Sequence, residues 1–216
     1  MEKFKKEIPF LAIALIPFVY LIYIWNRLPE KVPMHWNGAG EIDRYGDKKE
    51  LLVTLFMLVG ITYFVFLIIP SIDPKQKLQN MGNKLNNLRM ILTLFMSGLA
   101  VFILYSVQQK TSNPAFVFSI IGLLFAFLGN YFKTIKPNYF IGIKTPWTLE
   151  NEEVWKKTHL MGGKLWFVGG LLMALTFVLP NKIQFYTFMG IVAVITIVPI
   201  VYSYLEFKKT KTDNKF

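Results

Sequence analysis

The run LLVTLFMLVGITYFVFLII, which occupies Leu51–Ile69, contains no Asp, Glu, Lys, Arg or His. About twenty apolar residues, at a helical rise of about 1.5 Å each, cross the hydrocarbon core of a bilayer. Backbone groups inside lipid must find hydrogen-bond partners within their own segment, so an apolar run of this length forms a helix. The stretch therefore predicts a membrane-spanning helix.

Five further runs of the same kind lie on either side of this one. They also lack ionisable residues, and they approach or reach the spanning length. Only 17% of the residues are charged and 54% are hydrophobic, whereas soluble domains have about 25% charged residues. The fold class is therefore predicted to be an all-α integral membrane protein with six transmembrane helices. The predicted spans are Ile8–Trp25, Leu51–Ile69, Met90–Val107, Ala115–Asn130, Leu165–Leu179 and Phe185–Tyr204.

The distribution of basic residues predicts the orientation of these spans. With six spans, both termini share one membrane face with the second and fourth loops, and this face has 17 of the 24 Lys and Arg residues. Basic residues concentrate in cytoplasmic loops, so the N- and C-termini are predicted to be cytoplasmic. The net charge of +11 is then mainly a consequence of topology. It also attracts anionic lipid headgroups, and no direct nucleic-acid partner is predicted.

The first outer loop, residues 27–50, is long for a plain connection, and such loops are usually functional or disordered. Its prolines hold the backbone extended, and Asn37-Gly38 is typical of a hairpin turn. We therefore expect an ordered cap on the outer membrane surface. A metal site of His35, Asp43 and Asp47 is the alternative, but the spacing matches no standard ligand pattern, so no metal or other cofactor is predicted. The candidate residues for ligand contact in this cap are Pro29, Pro33, His35, Trp36, Asn37 and Asp43.

The insert at residues 133–163 is the longest polar interruption between two spans. Its first half, residues 135–146, has a spacing of proline and glycine that a helix does not tolerate. Its second half predicts a short helix along the membrane interface, with Thr148 or Asn151 as the N-cap and acidic residues in the first turn. Gly162-Gly163 is predicted to turn the chain into the fifth span. The insert should thus form a cytoplasmic amphipathic elbow.

Two further features concern packing. Trp147 and Trp155 are expected to hold the elbow against the bilayer. In the fourth predicted span, Gly122 and Ala126 form a small-xxx-small face that allows another helix to approach closely. This face is either ordinary packing within the chain or an oligomer contact, so the sequence leaves the oligomeric state open.

Two stretches of the insert resemble the signature of the SdpI family of bacterial membrane immunity proteins. They are KPNYFIGIKTPWTL at Lys136–Leu149 and EVWKKTH at Glu153–His159. The outer-loop segment LPEKVPMHWN, Leu28–Asn37, is similar to the small domain of unknown function usually found ahead of that signature. The resemblance implies an N-terminal transmembrane hairpin with its outer loop at residues 1–87. An SdpI-like four-helix membrane domain would follow at residues 88–216.

The resemblance implies that the protein protects the membrane against a secreted killing peptide. It also implies a second activity, in which a cognate transcriptional repressor is captured at the cytoplasmic face. The implied partners are membrane lipid, the toxin peptide and such a repressor. The signature residues that would bind the cytoplasmic partner are Asn130, Pro137, Asn138, Gly142, Thr145, Pro146, Trp147, Thr148, Glu153, Trp155, Thr158, His159 and Gly163.

Enzymes and transporters make demands that this sequence does not meet. His35 and His159 fall on opposite membrane faces in the predicted topology and cannot act together, so no catalytic residue is predicted. Coupled transport usually places ionisable residues within the spans, and the six apolar runs have none. Three alternatives stay open: a lipid- or envelope-modifying enzyme with Trp147, Glu153 and His159 at its polar centre, a small-molecule transporter, and a structural helper of another membrane protein.

Overall fold

The computed structural model describes residues 2–38, 41–73, 75–78, 81–109 and 114–213. Within these ranges the chain folds into eight α-helices and one pair of β-strands. A π-helical turn at Phe56–Gly60 joins α2 to α3, and single 3-10 turns at Trp25–Arg27 and Thr176–Val178 extend α1 and α7. In chain order the elements are α1 (Glu2–Ile24), β1 (Lys31–Trp36), β2 (Ile42–Asp47), α2 (Glu50–Leu55), α3 (Ile61–Ile72), α4 (Asn83–Gln109), α5 (Pro114–Phe132), α6 (Pro146–Glu150), α7 (Glu152–Leu175) and α8 (Asn181–Asp213).

Long apolar helices confirm a multi-pass helical membrane protein. Five helical segments among the described residues are long and apolar enough to cross a membrane, and a sixth apolar helix, Phe116–Phe132, is shorter. The count of six spans and their orientation stay predictions. The five segments are Lys5–Arg27, Glu50–Ile72, Asn83–Gln109, Glu152–Val178 and Asn181–Lys211.

The loop after α1 folds into a β-hairpin, which departs from a strictly all-α architecture. Strands β1 and β2 pair antiparallel, with Val32 opposite Gly46. A bulge interrupts the register between Pro33 and His35, where the proline lacks the N–H that a regular ladder needs. Prolines favour extended backbone, and Asn37 suits the tight turn that follows β1.

The described residues group into two compact units. The first consists of Met1–Ile72 and Leu85–Pro114, and it contains α1, the hairpin, α2, α3 and most of α4. The second consists of Asp73–Lys84 and Ala115–Phe216, and it contains helices α5 to α8. The division after residue 87 expected from the sequence motifs stays a prediction.

The core of the first unit joins three helices to the base of the hairpin. Val32 of β1 is fully buried in the same cluster as Leu21 and Ile24 of α1, Leu51 of α2 and Leu104 of α4. Burying one aliphatic side chain stabilises a structure by about 1.5–3 kcal/mol. The hairpin is therefore anchored by a side chain that it contributes to the helical core.

In the second unit, α5 and α7 approach each other at small residues. A Cβ on Gly129 would lie 2.3 Å from the backbone nitrogen of Phe167, and a Cβ on Gly170 would lie 2.3 Å from that of Ala126. A Cβ on Gly122 would lie 2.8 Å from the carbonyl oxygen of Gly170. Larger side chains would push these helices apart. The small face of α5 is therefore covered by α7 of the same chain. Of the two alternatives for this face, packing within the chain and an oligomer contact, the structure shows the first.

Helix α7 contradicts the predicted elbow. It runs from Glu152 to Leu175 without a turn at Gly162-Gly163, so the amphipathic half of the insert and the fifth apolar run form one helix. A Cβ on Gly162 would lie 2.6 Å from Ile143 Cδ1, and a Cβ on Gly163 would lie 2.6 Å from the carbonyl oxygen of Gly129. The two glycines serve close packing rather than chain reversal, and packing outweighs their low helix propensity.

The helices also extend beyond the apolar runs, and this places charges inside the first unit. Arg89 of α4 donates from both terminal nitrogens to the carboxylate of Glu7 in α1, at 2.8 Å for the Nη1–Oε1 pair. The guanidinium lies 4.0 Å from the ring centroid of Phe10 and 5.4 Å from that of Tyr63. The predicted apolar runs begin at Ile8 and Met90, so this ion pair lies just outside them, within the helices that extend those runs. A paired and ring-stacked charge can be buried where an isolated one cannot.

A hydrogen bond connects α7 to α8 near Pro199 of α8. Pro199 lacks an N–H, so the carbonyl of Ile195 has no donor within its own helix. The indole N–H of Trp166 in α7 donates to that oxygen at 2.8 Å. The side chain of one helix thus satisfies the backbone group that the proline leaves free in the other.

Candidate functional site

The loop expected to form an ordered outer cap folds into the hairpin, while its side of the membrane stays a prediction. At the tip of the hairpin, the backbone N–H of Asn37 donates to the carbonyl of Glu41 at 2.9 Å. The side-chain amide of Asn37 also donates to the carboxylate of Glu41, and its Oδ1 accepts from the backbone N–H of Glu41, each at 3.0 Å. At its base, Lys48 donates from its backbone to the carbonyl of Glu30 and from Nζ to its carboxylate, at 3.0 and 2.8 Å. Both ends of the hairpin are therefore closed by polar contacts.

The predicted cap residues line the hairpin without forming one pocket. Pro29 is exposed just before β1, and Pro33 lies within β1 opposite Tyr45. Trp36 is half-buried, and its indole N–H has no acceptor among the described residues. Tyr45 is 59% exposed. The hairpin therefore presents an aromatic side chain and unpaired strand edges.

The alternative metal site does not assemble. His35 Nδ1 lies 2.6 Å from Asp43 Oδ1, and both side chains are exposed. Asp47 instead accepts from the backbone N–H of Lys49 at 2.9 Å, next to the start of α2. No group of three His, Cys, Asp or Glu residues in the described ranges could hold a metal ion. The exposed pair contributes little to stability because solvent screens it.

In the second unit, a buried asparagine organises the irregular half of the insert. The Oδ1 atom of Asn138 accepts from the backbone N–H groups of Phe140 and Ile141 at 2.8 and 2.7 Å. Its Nδ2 donates to the carbonyls of Lys136 and Ile141 at 2.8 and 3.0 Å. All four hydrogen bonds available to the amide are made. A 1% exposed side chain thus replaces the regular backbone bonding that this segment lacks.

Gly142 packs closely against His159. Gly142 has φ of +112°, a conformation that favours glycine, and a Cβ there would lie 2.4 Å from His159 Nε2. That nitrogen accepts from the backbone N–H of Ile143 at 3.0 Å, and Nδ1 lies 2.9 Å from the carbonyl oxygen of Trp155. Because Nε2 accepts and Nδ1 must donate, the imidazole is neutral and protonated on Nδ1.

A capping box begins α6. The hydroxyl of Thr145 accepts from the backbone N–H of Thr148 at 3.2 Å, and the hydroxyl of Thr148 accepts from the backbone N–H of Thr145 at 2.8 Å. Pro146 occupies the first helical position, where its missing N–H has no cost. The indole of Trp147 then donates to the hydroxyl of Ser203 in α8. Helix α6 is therefore attached to α8.

Trp155 is also buried within the protein. It is 2% exposed, and its indole N–H donates to the carbonyl of Ile135 at 2.9 Å. Its ring stacks on that of His159 with centroids 4.0 Å apart. The expected role of Trp155 as a bilayer anchor is therefore wrong, because its ring is buried inside the second unit. Trp147 is half-buried, and its role as an anchor stays a prediction. Thr158 lies on the same buried face, and its hydroxyl has no partner among the described residues.

Some predicted residues stand apart from this cluster. Asn130 is exposed on α5, and Gly163 packs against the backbone of α5. Glu153 is exposed and forms an ion pair with Lys157, whose Nζ lies 2.8 Å from Glu153 Oε1. The N-cap of α7 is Asn151, one of the two predicted candidates, whose side chain accepts from two backbone N–H groups. The residues brought together are Asn138, Gly142, Thr145, Thr148, Trp155 and His159.

Sequence reasoning missed the partners on α8. Glu206 is 5% exposed and lies 3.2 Å from Lys157 Nζ and 2.8 Å from Lys209 Nζ. Ser203 is fully buried under α6. Ser203 falls at the end of the predicted span Phe185–Tyr204 and Glu206 lies just beyond it, so no pattern in the sequence connects them with the insert. Continuation of α8 to Asp213 brings them against the insert.

The cluster is suited to hold a shape rather than to perform acid–base chemistry. Both ring nitrogens of His159 are engaged by backbone groups, and a general base needs a free nitrogen within reach of a substrate proton. The side chain of Asn138 is equally saturated. These contacts connect the irregular segment at residues 135–145 with α6, α7 and α8. We refer to this segment and α6, held together in this way, as the cap of the second unit.

These features define a multi-pass membrane protein, with a folded hairpin in one unit and a hydrogen-bonded cap in the other. Residues 134–203 match the SdpI/YfhL protein family, and residues 12–62 match a domain of unknown function, DUF1648. The chain therefore carries an SdpI-family domain preceded by a DUF1648 domain, which confirms the resemblance seen in the motifs.

Full-length similarity extends this assignment. Over 205 residues the chain is 24% identical to "Immunity protein SdpI" of Bacillus subtilis, covering 95% of this chain and 97% of that protein. A stretch of 43 residues is 44% identical to an uncharacterized protein of Archaeoglobus fulgidus, covering 20% of this chain and 23% of that protein. No solved structure matches the chain significantly.

Proposed function

We propose that the protein is a membrane immunity protein that protects bacterial cells against a secreted killing peptide. The observation that carries this proposal is the similarity to Immunity protein SdpI along 95% of the chain. The similarity extends over 205 of the 216 residues, so both family matches, 12–62 and 134–203, fall within it. The helical architecture is that of a membrane protein, and the membrane is where such a peptide would act.

The proposed topology has six spans with both termini in the cytoplasm. Helix α5, Pro114–Phe132, has 19 residues and is therefore about 28 Å long, close to the hydrocarbon thickness of about 30 Å. The excess of basic residues at the termini and in the second and fourth loops supports the orientation. In this topology the hairpin is outside the cell and the cap of the second unit is in the cytoplasm.

We assign contact with the killing peptide to the β1–β2 hairpin. A two-stranded sheet has unpaired backbone groups along its outer edges, and extended peptides add to such edges as a further strand. The exposed ring of Tyr45 and the half-buried ring of Trp36 would contact apolar side chains of the peptide. Pro29, Pro33, His35, Asn37 and Asp43 would shape this edge.

The proposed second activity is capture of a cognate transcriptional repressor at the membrane. We assign it to the cap of the second unit, where Tyr139 and Leu149 are each 37% exposed. The cap is held rigid by Asn138 and by the capping box, so these side chains are presented in a fixed arrangement. A rigid apolar surface loses little side-chain freedom on binding.

A lipid-modifying enzyme is the alternative from another class. It would need His159 as a proton donor or acceptor, with Glu153 nearby. The geometry favours it less, because both nitrogens of His159 are engaged and Glu153 pairs with Lys157. Replacing Glu153 with glutamine would abolish turnover of such an enzyme, whereas protection should persist in an immunity protein.

The peptide contact is tested by survival of toxin-sensitive cells that express variants of the protein. Tyr45→Ala should weaken protection, since it removes the exposed ring of the hairpin. Tyr186→Ala is the matched control, because Tyr186 is 64% exposed on α8 and lies outside the hairpin. Membrane fractionation must show equal amounts of both variants. Equal protection by the two would contradict the assignment to the hairpin.

Repressor capture is tested separately by fractionation of a tagged repressor encoded beside the gene. The repressor should move to the membrane fraction when the killing peptide is present. Replacing Tyr139 with Ser should reduce this movement without affecting protection, because Tyr139 lies in the cap and not in the hairpin. A repressor that stays soluble in the presence of peptide and protein would eliminate this activity.

A further inference from the structure

A pocket of about 300 Å³ opens beside the end of α5, within the second unit. The loop that follows α5 forms one wall, and the first turns of α7 form the other. Phe132, the last residue of α5, contributes to the lining, and Lys133 follows it directly. Since the apolar sequence of α5 ends at this point, the pocket lies at the level where a membrane-spanning helix meets the lipid headgroups.

Three lysines surround this pocket. Lys133 and Lys136 come from the loop and Lys156 comes from α7, and all three are exposed. In the part of the chain that the structure describes, no ion pair joins any of them to an Asp or Glu. The neighbouring Lys157, by contrast, contacts two carboxylates. One carboxylate, that of Glu152, lines the pocket, so its walls have an excess of positive charge.

The other side of the pocket is apolar and continues onto the lipid-facing surface of α7. The rings of Phe132 and Trp155 line this side, together with Leu160 of α7. Leu160 is 49% exposed, and Phe167 and Leu171 follow it about two and three turns further on at 42% and 41% exposure, with the exposed Lys164 one turn after Leu160. A ligand with a charged end and a hydrocarbon chain would match this sequence of surfaces.

The backbone that carries the lysines is fixed in place. The indole of Trp155 donates to the carbonyl of Ile135 at 2.9 Å, and Asn138 donates to the carbonyl of Lys136 at 2.8 Å. Neither hydrogen bond uses a lysine ammonium group. The pocket is therefore formed before any ligand arrives, and little conformational freedom is lost on binding.

We propose that this pocket binds the headgroup of an anionic phospholipid. The ammonium groups of Lys133, Lys136 and Lys156 contact the phosphodiester as point charges, with one acyl chain lying along Leu160 and Phe167. A free phosphate would use the lysines alone and would leave the apolar surface without a function. The position at the end of a span places the pocket within reach of lipid that is already in the bilayer.

The binding test uses the purified full chain in an uncharged maltoside detergent. The probe is dihexanoyl phosphatidylglycerol, which is soluble as a monomer, and the readout is native mass spectrometry or calorimetry. Dihexanoyl phosphatidylcholine and glycerol 3-phosphate are the comparison ligands. Phosphatidylglycerol should bind one-to-one and at least about tenfold more tightly than either. Equal binding of glycerol 3-phosphate would overturn the lipid assignment, and equal binding of phosphatidylcholine would overturn the role of the lysines.

The lysines are tested by the triple substitution K133Q/K136Q/K156Q, which should weaken phosphatidylglycerol binding by about tenfold or more. Since no hydrogen bond or ion pair joins these ammonium groups to the other described residues, thermal stability should be unchanged. The triple arginine variant K133R/K136R/K156R should retain binding. Undiminished binding by the glutamine variant would overturn the proposal.

A matched control separates a specific site from general charge attraction. The variant K75Q/K77Q/K211Q removes the same charge from the second unit, where these ammonium groups lie over the rings of Tyr139 and Phe207. It should change affinity by less than about twofold. An equal loss in this control would mean that the chain attracts anionic lipid only through its net charge, and the pocket would have no part in it.

Discussion

Replacing Gly142 with alanine perturbs the cap at the contact between the loop and α7. The φ of +112° is costly for any residue with a Cβ, and such backbone strain amounts to about 1–3 kcal/mol. The new Cβ would lie 2.4 Å from His159 Nε2, so the ring must move away from the N–H of Ile143. Leaving this part-buried donor without its acceptor costs a further ~1–3 kcal/mol.

The two effects together predict a loss of about 4 kcal/mol in the free energy of unfolding. For a chain of this size, that corresponds to a fall in melting temperature of roughly 8–16 °C. The measurement is thermal unfolding of the purified protein in detergent, followed by tryptophan fluorescence, because Trp155 stacks on the displaced ring. The double variant G142A/H159A should lose less than the sum of the two single variants, since removing the ring makes room for the methyl group.

Gly190→Ala in α8 is the matched control for this prediction. A Cβ at position 190 would have nothing within 4 Å, and alanine is favoured over glycine inside a helix by roughly 0.5–1 kcal/mol. This variant should therefore be as stable as the unmodified protein or slightly more so. Equal melting temperatures for Gly142→Ala and Gly190→Ala would refute the reasoning about the cap.

Two further predictions concern buried polar contacts in the helices. Trp166→Phe should cost about 1–3 kcal/mol, because the carbonyl of Ile195 loses its donor, and this cost should fall in a Pro199→Ala background, where residue 199 regains an N–H. Equal costs in the two backgrounds, measured by thermal unfolding, would contradict the account of the α7–α8 contact. Glu7→Gln should cost about 3 kcal/mol, because Arg89 keeps a buried charge without its counter-charge. Adding Arg89→Met should restore part of that loss, and a double variant as unstable as the single one would argue against the ion pair.

The apolar runs of the sequence were sufficient to locate the long helices, but not the residues at which these helices begin and end. An apolar run identifies the part of a helix that lies in hydrocarbon, whereas the helix itself continues as long as its backbone bonds and caps allow. Helix α7 therefore begins at its Asn151 cap, well before the apolar run at Leu165. Glycine pairs such as Gly162-Gly163 are ambiguous in a sequence, because close packing and chain reversal use the same residue.

The candidate site was predictable in its members but not in its contacts. The signature motif identified Asn138, Gly142 and His159, while the structure shows that the glycine leaves space for the imidazole. The adjacent hydrogen bond from the Ile143 N–H to His159 joins residues 16 positions apart, and such pairings depend on tertiary packing rather than on local pattern. Ser203 and Glu206 could not be found from the motif, because only the packing of α8 against the insert brings them near it.

Survival under challenge with the killing peptide tests the proposed function most directly. Toxin-sensitive cells that lack their own immunity protein would express this chain, with its insertion into the membrane verified by fractionation. Cells that express the protein should grow at peptide concentrations that kill cells carrying an empty vector. Growth with Gly142→Ala should be reduced in proportion to the folded protein that this variant loses. Membrane-inserted protein that gives no more protection than the empty vector would contradict the account.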